Sequence, residues 1–292
     1  MIYSSISAPF FTEYIAKITK GKHVKWSKLL SSQYRNSKVF MLGLYFPENP
    51  FWQKVSCKKM LIVWSGSDVI RLKKIKSSSR DNLLSLLEKK NYRFASNGVF
   101  LKKEMDQLYK FKRSVENVKL PSRHDFSNLF NMPDKFSVGV YIPDGNNKGF
   151  YGYNVIIEVV KRLKEIDFYF YNLKGYVSNK EEKQIKNLKC VPSAISDMPS
   201  FMKKISCGVR VTDHDAASMT AVEYNMAGRW FIFNHDMKYC IKVSHKPSVD
   251  EVADRILEVK KNKYNMINNK GEKFYKKEHS VNNFLSTING LL

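Results

Sequence analysis

Residues 209–234 read VRVTDHDAASMTAVEYNMAGRWFIFN. A β-branched run closes in a polar, acidic loop, and Ser218 and Thr220 then stand where hydroxyls cap a helix. Met219–Ala227 carries helix formers up to Gly228, a residue suited to helix stops. Trp230–Asn234 is apolar again and bulky, as a buried strand is. With the strand Gly208–Thr212 in front, this is a strand–helix–strand unit, part of an α/β series.

The same alternation runs outward in both directions. Upstream lie a strand at Phe136–Ile142 (FSVGVYI), an amphipathic helix at Tyr153–Ile166, a strand at Asp167–Asn172 (DFYFYN), a strand at Leu188–Val191 and a helix starting near Asp197. Nearer the N-terminus, strands are expected at Lys38–Tyr45, Met60–Trp64, Tyr92–Ser96 and Val115–Leu120, with helices at Arg80–Lys90 and Lys102–Phe111. The stretch Pro121–Asp134 (PSRHDFSNLFNMPD) loses all periodicity and carries two prolines. It divides the chain into an N-terminal domain, residues 1–125, and a C-terminal domain, residues 136–292. The tail from Ser248 reads as two helices, Val249–Lys261 and Lys270–Ile288, the last able to cross back onto the first domain. The expected class is α/β: two Rossmann-like domains facing a cleft.

Composition narrows the function. With 43% apolar and 13% aromatic residues the chain is a folding, globular one. No segment approaches the roughly 20 apolar residues of a membrane helix. The start, MIYSSISAPFFTEYIAK, has no basic region followed by an apolar run, so a cytoplasmic protein is expected, in a host's cytoplasm if viral. Four cysteines (57, 190, 207, 240) without CxxC spacing point to reduced thiols. No GxGxxG follows a strand and no GxxxxGK[ST] occurs, which excludes the common dinucleotide-oxidoreductase and P-loop signatures. The net charge is +23, and residues 1–123 hold 25 basic against 8 acidic side chains, a balance of +17. That excess favours a polyanionic partner at the N-terminal half: nucleic acid, or an anionic membrane surface.

A helix N-terminus that follows a parallel strand offers free N–H groups and a partial positive charge, the combination a diphosphate needs. Asp215 lies in the loop before such a helix and Glu223 one turn inside it. The second carboxylate is placed to accept hydrogen bonds from a ribose diol, the first from the hydroxyls of an attached sugar.

On these residues the chain resembles the retaining GT-B glycosyltransferases, whose mark is two acidic residues separated by seven others ahead of a small-residue helix and a glycine: here D-AASMTAV-E-YNMAGR. Asp stands at the first position where Glu is usual, and Ala216–Ala217 where a Gly–aromatic pair is common. The resemblance extends to VGVYIPDGNNKGFYGYNVIIEVVKRL and DMPSFMKKISCGVRVT, and more faintly to GLYFP and IVWSGSDV. It implies a nucleotide-sugar donor, UDP-sugar first among them, with Lys148, Gly149, Arg210, His214, Ser218, Met219, Thr220 and Glu223 around it and Asp215 on the sugar. It implies no metal and no further cofactor. Asp213–His214–Asp215 also fits the acid-x-acid pattern with which GT-A transferases hold a divalent ion, but that motif belongs earlier in a chain. Asp68 is the candidate to meet an acceptor hydroxyl, as general base if the reaction inverts. Trp26, Phe51, Trp52 and Ser67 are the acceptor-side candidates.

For the acceptor, the +17 half favours DNA, with a hydroxymethylated pyrimidine flipped out and an aromatic filling the gap. Phage DNA glucosyltransferases resemble this chain in size and charge. A lipid-linked or surface glycan at an anionic membrane, and a non-catalytic nucleic-acid binder, are the alternatives.

Overall fold

A computed structural model describes residues 1–6, 8–129, 131–142, 148–171, 180–191 and 197–292, without the side chain of Glu181. The chain divides into two compact units, Met1–Arg123 with Glu278–Leu292, and His124–Lys277.

The first unit holds a six-stranded, wholly parallel sheet in the order β2-β1-β3-β4-β5-β6. The strands are β1 (Ile2–Ser5), β2 (Lys22–His23), β3 (Lys38–Leu42), β4 (Lys59–Trp64), β5 (Arg93–Ser96) and β6 (Glu116–Asn117). Helices α1 (Pro9–Ile18), α2 (Phe51–Lys54), α3 (Ser67–Lys74), α4 (Ser77–Lys89) and α5 (Val99–Leu108) connect them. β3 and β4 read as unbroken apolar runs because helices cover both faces of a parallel sheet, and Val39–Leu42 and Met60–Trp64 are all buried. β1 escapes the sequence pattern because Ser4 and Ser5 interrupt it. Both serines are nonetheless buried, and Ser5 Oγ donates to the Leu42 carbonyl at 3.0 Å.

The second unit repeats the plan in the order β12-β11-β10-β7-β8-β9, again all parallel. Its strands are β7 (Ser137–Tyr141), β8 (Asp167–Tyr171), β9 (Leu188–Val191), β10 (Cys207–Arg210), β11 (Trp230–Phe233) and β12 (Ile241–Lys242). The helices are α6 (Tyr153–Arg162), α7 (Lys180–Gln184), α8 (Met198–Met202), α9 (Met219–Met226), α10 (Val249–Lys263) and most of α11 (Asn269–Glu278). One face of the sheet packs on Ile156, Val159 and Val160 of α6 with Val252, Ile256 and Val259 of α10. The other packs on Phe201 and Met202 of α8 with Ala221, Val222 and Tyr224 of α9.

The tail departs from the expected pair of helices. The second breaks after α11, and Ser280 opens a third, α12 (Val281–Leu291), its Oγ accepting from Asn283 N. α12 belongs to the first unit, where Phe284 meets Phe40 of β3 edge to face, 5.4 Å between ring centres. No helix among the described residues is long and apolar enough to cross a membrane.

Candidate functional site

In the second sheet the chain runs from β7 outward through β8 to β9, then returns to lay β10 against the other side of β7. Beyond the carboxyl ends of β7 and β10 the connecting loops therefore part in opposite directions, the place where open α/β sheets bind ligands. Arg210 ends β10 there and is only 8% exposed. Its guanidinium lies 5.1 Å from the Tyr141 ring centre and 4.8 Å from that of Tyr151, and its Nε donates to Asp215 Oδ2 at 2.7 Å. Burial opposes its charge, but Asp215 and the two tyrosines outweigh that and raise its pKa above the usual arginine value. The terminal nitrogens carry no hydrogen bond to a described residue, so up to four N–H donors of a fixed cation remain for a ligand.

The elements around Arg210 are locked to it. Gly149–Tyr151 forms a single 3₁₀ turn after Lys148 and brings the Tyr151 ring under the guanidinium. Phe150 O accepts from Asp213 N at 3.0 Å, tying that turn to the acidic loop. Gly152 turns into α6 at φ +62°, and a Cβ there would come within 2.8 Å of the Val211 side chain. Thr212 is held by Asn234, which accepts from its N–H at 3.1 Å and donates to its carbonyl at 2.9 Å. His235 Nε2 lies 2.9 Å from that carbonyl, and burial lowers the pKa of its ring.

Each expected donor residue has a definite place. Ser218 is buried and its Oγ accepts from Ala221 N at 3.3 Å, the cap foreseen for α9; Met219 and Thr220 form the half-buried first turn. Glu223 is half-buried one turn further, with His124 Nε2 at 4.0 Å from its carboxylate. Asp215 Oδ1 accepts from Ala216 N at 2.9 Å, so this carboxylate shapes the loop and fixes Arg210 while retaining unused lone pairs. His214 is half-buried, its carbonyl accepting from Thr212 Oγ1. Lys148 is not a simple phosphate cation. It donates to Glu182 at 3.1 Å and sits 4.5 Å from the Tyr153 ring centre. Gly149 is exposed with open space where a Cβ would go. The rest of that expected loop, residues 143–147, lies outside the described residues. No group of three or more His, Cys, Asp or Glu among the described residues is arranged to hold a metal ion, the acid-x-acid run included.

The acceptor-side expectations need correction. Asp68 is fully buried, and its two oxygens accept from four backbone N–H groups: Leu44 and Gly66 at 2.9 Å, Ser65 and Val69 at 3.0 Å. It braces the turn into α3 and meets no solvent, so it is no general base. Trp52 is buried too, its Nε1 donating to the Tyr45 and Phe46 carbonyls at 3.2 Å, and Phe51 is 3% exposed. Both fill the core under α2 because their rings pack edge to face, 5.0 Å apart. Trp26 is half-buried, edge-on to Phe51. Ser67 is exposed, 3.0 Å from the Tyr45 hydroxyl.

Sequence reasoning missed Tyr141, Tyr151 and Glu182. Tyr141 read as a strand residue and Tyr151 as part of a loop; the pairing of β7 with β10 brings the first to Arg210, and the turn tied to Asp213 brings the second.

The sequence matches no protein-family model and no curated protein. Solved structures do match in fold. Anabaena HepE in complex with UDP superposes with a TM-score of 0.71 at 9% identity, over 99% of this chain and 98% of that one. The lipopolysaccharide outer core galactosyltransferase WaaB, in its apo form, gives 0.63 at 10% identity over 100% of both. TarM gives 0.62 at 13% identity over 96% of this chain, which spans only 58% of TarM's length. Two parallel six-stranded α/β units and these superpositions give the chain the GT-B fold.

Proposed function

We propose that this protein is a glycosyltransferase that moves a sugar from a UDP-sugar donor to a hydroxyl of a glycan acceptor. The observation that carries the reading is Arg210: a buried, ring-clamped guanidinium with unused donors at the switch point of the second sheet, beside the N-terminus of α9. A diphosphate there would meet Arg210 and the free N–H groups of that helix start. Glu223, one turn in, is placed for the ribose, and Asp215 for the transferred sugar. Related folds hold UDP with glucose, or UDP with GlcNAc, in Anabaena HepE and pneumococcal GtfA.

The chemical work assigned to this chain is electrostatic. As the sugar–phosphate bond breaks, negative charge grows on the departing diphosphate. A cation already desolvated and fixed by Asp215 and two rings stabilises that charge without having to reorganise. The retaining course is the one the acidic spacing resembles, and no protein nucleophile is assigned.

A glycan acceptor is preferred over DNA because two of the three aromatics expected to serve as the wedge for base extrusion, Phe51 and Trp52, lie in the core, and the third, Trp26, is half-buried edge-on to Phe51. The basic excess of residues 1–123 suits an acidic glycan, or one presented at an anionic membrane.

The test is a panel of nucleoside diphosphates and their sugars read by thermal unfolding, with Glu223→Ala beside the unaltered chain. UDP is expected to raise the unfolding temperature by a few degrees, as a ligand present well above its Kd does, and Glu223→Ala to weaken that shift at least tenfold in UDP concentration. A chain that no nucleoside diphosphate stabilises would refute the proposal.

A further inference from the structure

The loop after β3, in the first unit, holds an exposed aromatic in a costly conformation. Phe46 has φ +53°, a left-handed conformation costly for a bulky residue, and the residue is 43% exposed. Such a conformation persists only where its surroundings impose it. They do here. Trp52 Nε1 and Asn49 N both donate to the Phe46 carbonyl, Asp68 holds Leu44 N, and the Tyr45 hydroxyl lies 2.8 and 3.0 Å from those of Ser65 and Ser67. An elaborately braced loop thus presents an apolar ring to solvent.

Arg71, exposed on α3 one turn after Ser67, lays its guanidinium 4.5 Å from the Phe46 ring centre and 5.6 Å from that of Tyr45. It makes no hydrogen bond or ion pair with a described residue, so the donors of its planar fork are unused. Next to this pair a groove of about 740 Å³ runs between Pro47 and Glu48 on one side and Lys76, Asn82 and Lys89 of the α3–α4 segment on the other. It adjoins the platform through the chain itself: Pro47 follows Phe46, and Ile75, at its edge, lies one turn beyond Arg71. Lys76 and Lys89 have no described carboxylate partner, and Glu48 is the groove's one acid among its described lining residues.

We infer that Phe46, Arg71 and this groove bind an acidic oligosaccharide. A sugar ring stacks its C–H face on Phe46, its carboxylate or phosphate takes the Arg71 fork, and the following residues of the glycan lie along the lysine-lined groove. The volume suits a ligand of a few sugar rings, within the usual range of about 300–1,000 Å³ for small-molecule sites. The inference rests on the glycosyltransferase reading, for which it names the acceptor class.

The test is binding of three fluorescently tagged probes of equal length: a neutral maltotetraose, a glucuronate-bearing tetrasaccharide and a single-stranded tetranucleotide. Each is titrated against the full chain, Arg71→Gln and Phe46→Leu, with UDP binding measured in parallel. The unaltered chain is expected to bind the acidic tetrasaccharide at least tenfold more tightly than the neutral one and than the tetranucleotide. Arg71→Gln should abolish that preference, and Phe46→Leu should weaken both saccharides severalfold. UDP binding stays unchanged in both variants. Equal affinity for acidic and neutral probes, tighter binding of the tetranucleotide, or an unaltered preference in Arg71→Gln overturns the inference. If UDP binds while no saccharide does, this groove alone is wrong; if acidic saccharide binds through Arg71 while UDP does not, the groove stands and the transferase reading falls.

Discussion

Tyr224 shows how a single residue places the proposed ribose carboxylate beside it. Its side chain is wholly buried against two bare positions of the sheet. A Cβ on Gly139 would sit 1.9 Å from its hydroxyl, and one on Gly208 would sit 2.6 Å from its ring and 2.4 Å from Phe231. The glycines of β7 and β10 are therefore there for close approach: they let α9 seat on the sheet and fix where Glu223 emerges. The Tyr224 hydroxyl lies close to that of Tyr171, and burial, with that neighbour, raises its pKa far above the usual phenol value. Gly139→Ala is expected to destabilise the second unit by about 1–3 kcal/mol through overpacking. Tyr224→Phe removes the hydroxyl that such a Cβ would strike, at a cost of about 1 kcal/mol for its interaction with Tyr171. In the double variant much of the Gly139→Ala cost should vanish, a coupling of about 1 kcal/mol or more measured by denaturant unfolding; additive effects would show that the helix is seated otherwise. The acidic spacing was legible in the sequence because it is local. The reason for the glycines was not, since it depends on which ring crosses which strand.

At the scale of elements, the strands and helices with strong periodicity stand where their pattern put them, but their ends differ by up to four residues: β3 stops at Leu42 rather than Tyr45, α6 at Arg162 rather than Ile166, and α4 and α5 start at Ser77 and Val99 rather than Arg80 and Lys102. The exceptions have physical causes. β1 carries buried serines, β2, β6 and β12 are two residues long, and the tail helix breaks at His279–Ser280, a stop that an otherwise amphipathic run conceals. That break has a titratable pin. His279 is 4% exposed, its Nδ1 lies 2.7 Å from the Leu120 carbonyl, and burial, helped by Lys119, pushes its pKa down to about 4. The folded state thus binds the ring neutral, whereas an unfolded histidine titrates near 6.5. The stabilisation is complete above about pH 6.5, declines as pH falls and is gone below about 4; at pH 5 the loss is about 2 kcal/mol. Thermal unfolding between pH 7 and 5 checks this. His279→Asn, which can keep a donor toward Leu120, should lose less stability on acidification than the unaltered chain. Parallel pH profiles would show that His279 is not the pin.

Across the whole molecule, two sheets of the same hand and strand count are given different work by their side chains. The first unit holds most of the positive excess and the Phe46–Arg71 platform; the second holds a single desolvated arginine at its switch point. Two α/β series were legible in the sequence, as were the strand that Arg210 ends and the acidic loop after it. The acceptor candidates were not, because an aromatic in a loop reads alike whether it faces solvent, as Phe46 does, or the core, as Trp52 does. The central claim is that Arg210 grips a diphosphate, and calorimetric titration of UDP and of uridine into the unaltered chain and into Arg210→Lys tests it directly. Lysine keeps a positive charge beside Asp215 but lacks the planar fork. UDP should bind the unaltered chain more tightly than uridine, and Arg210→Lys should lose about tenfold or more of the UDP affinity, about 1.4 kcal/mol, with uridine unaffected. UDP binding that is absent in the unaltered chain, or equal in the two proteins, would contradict it.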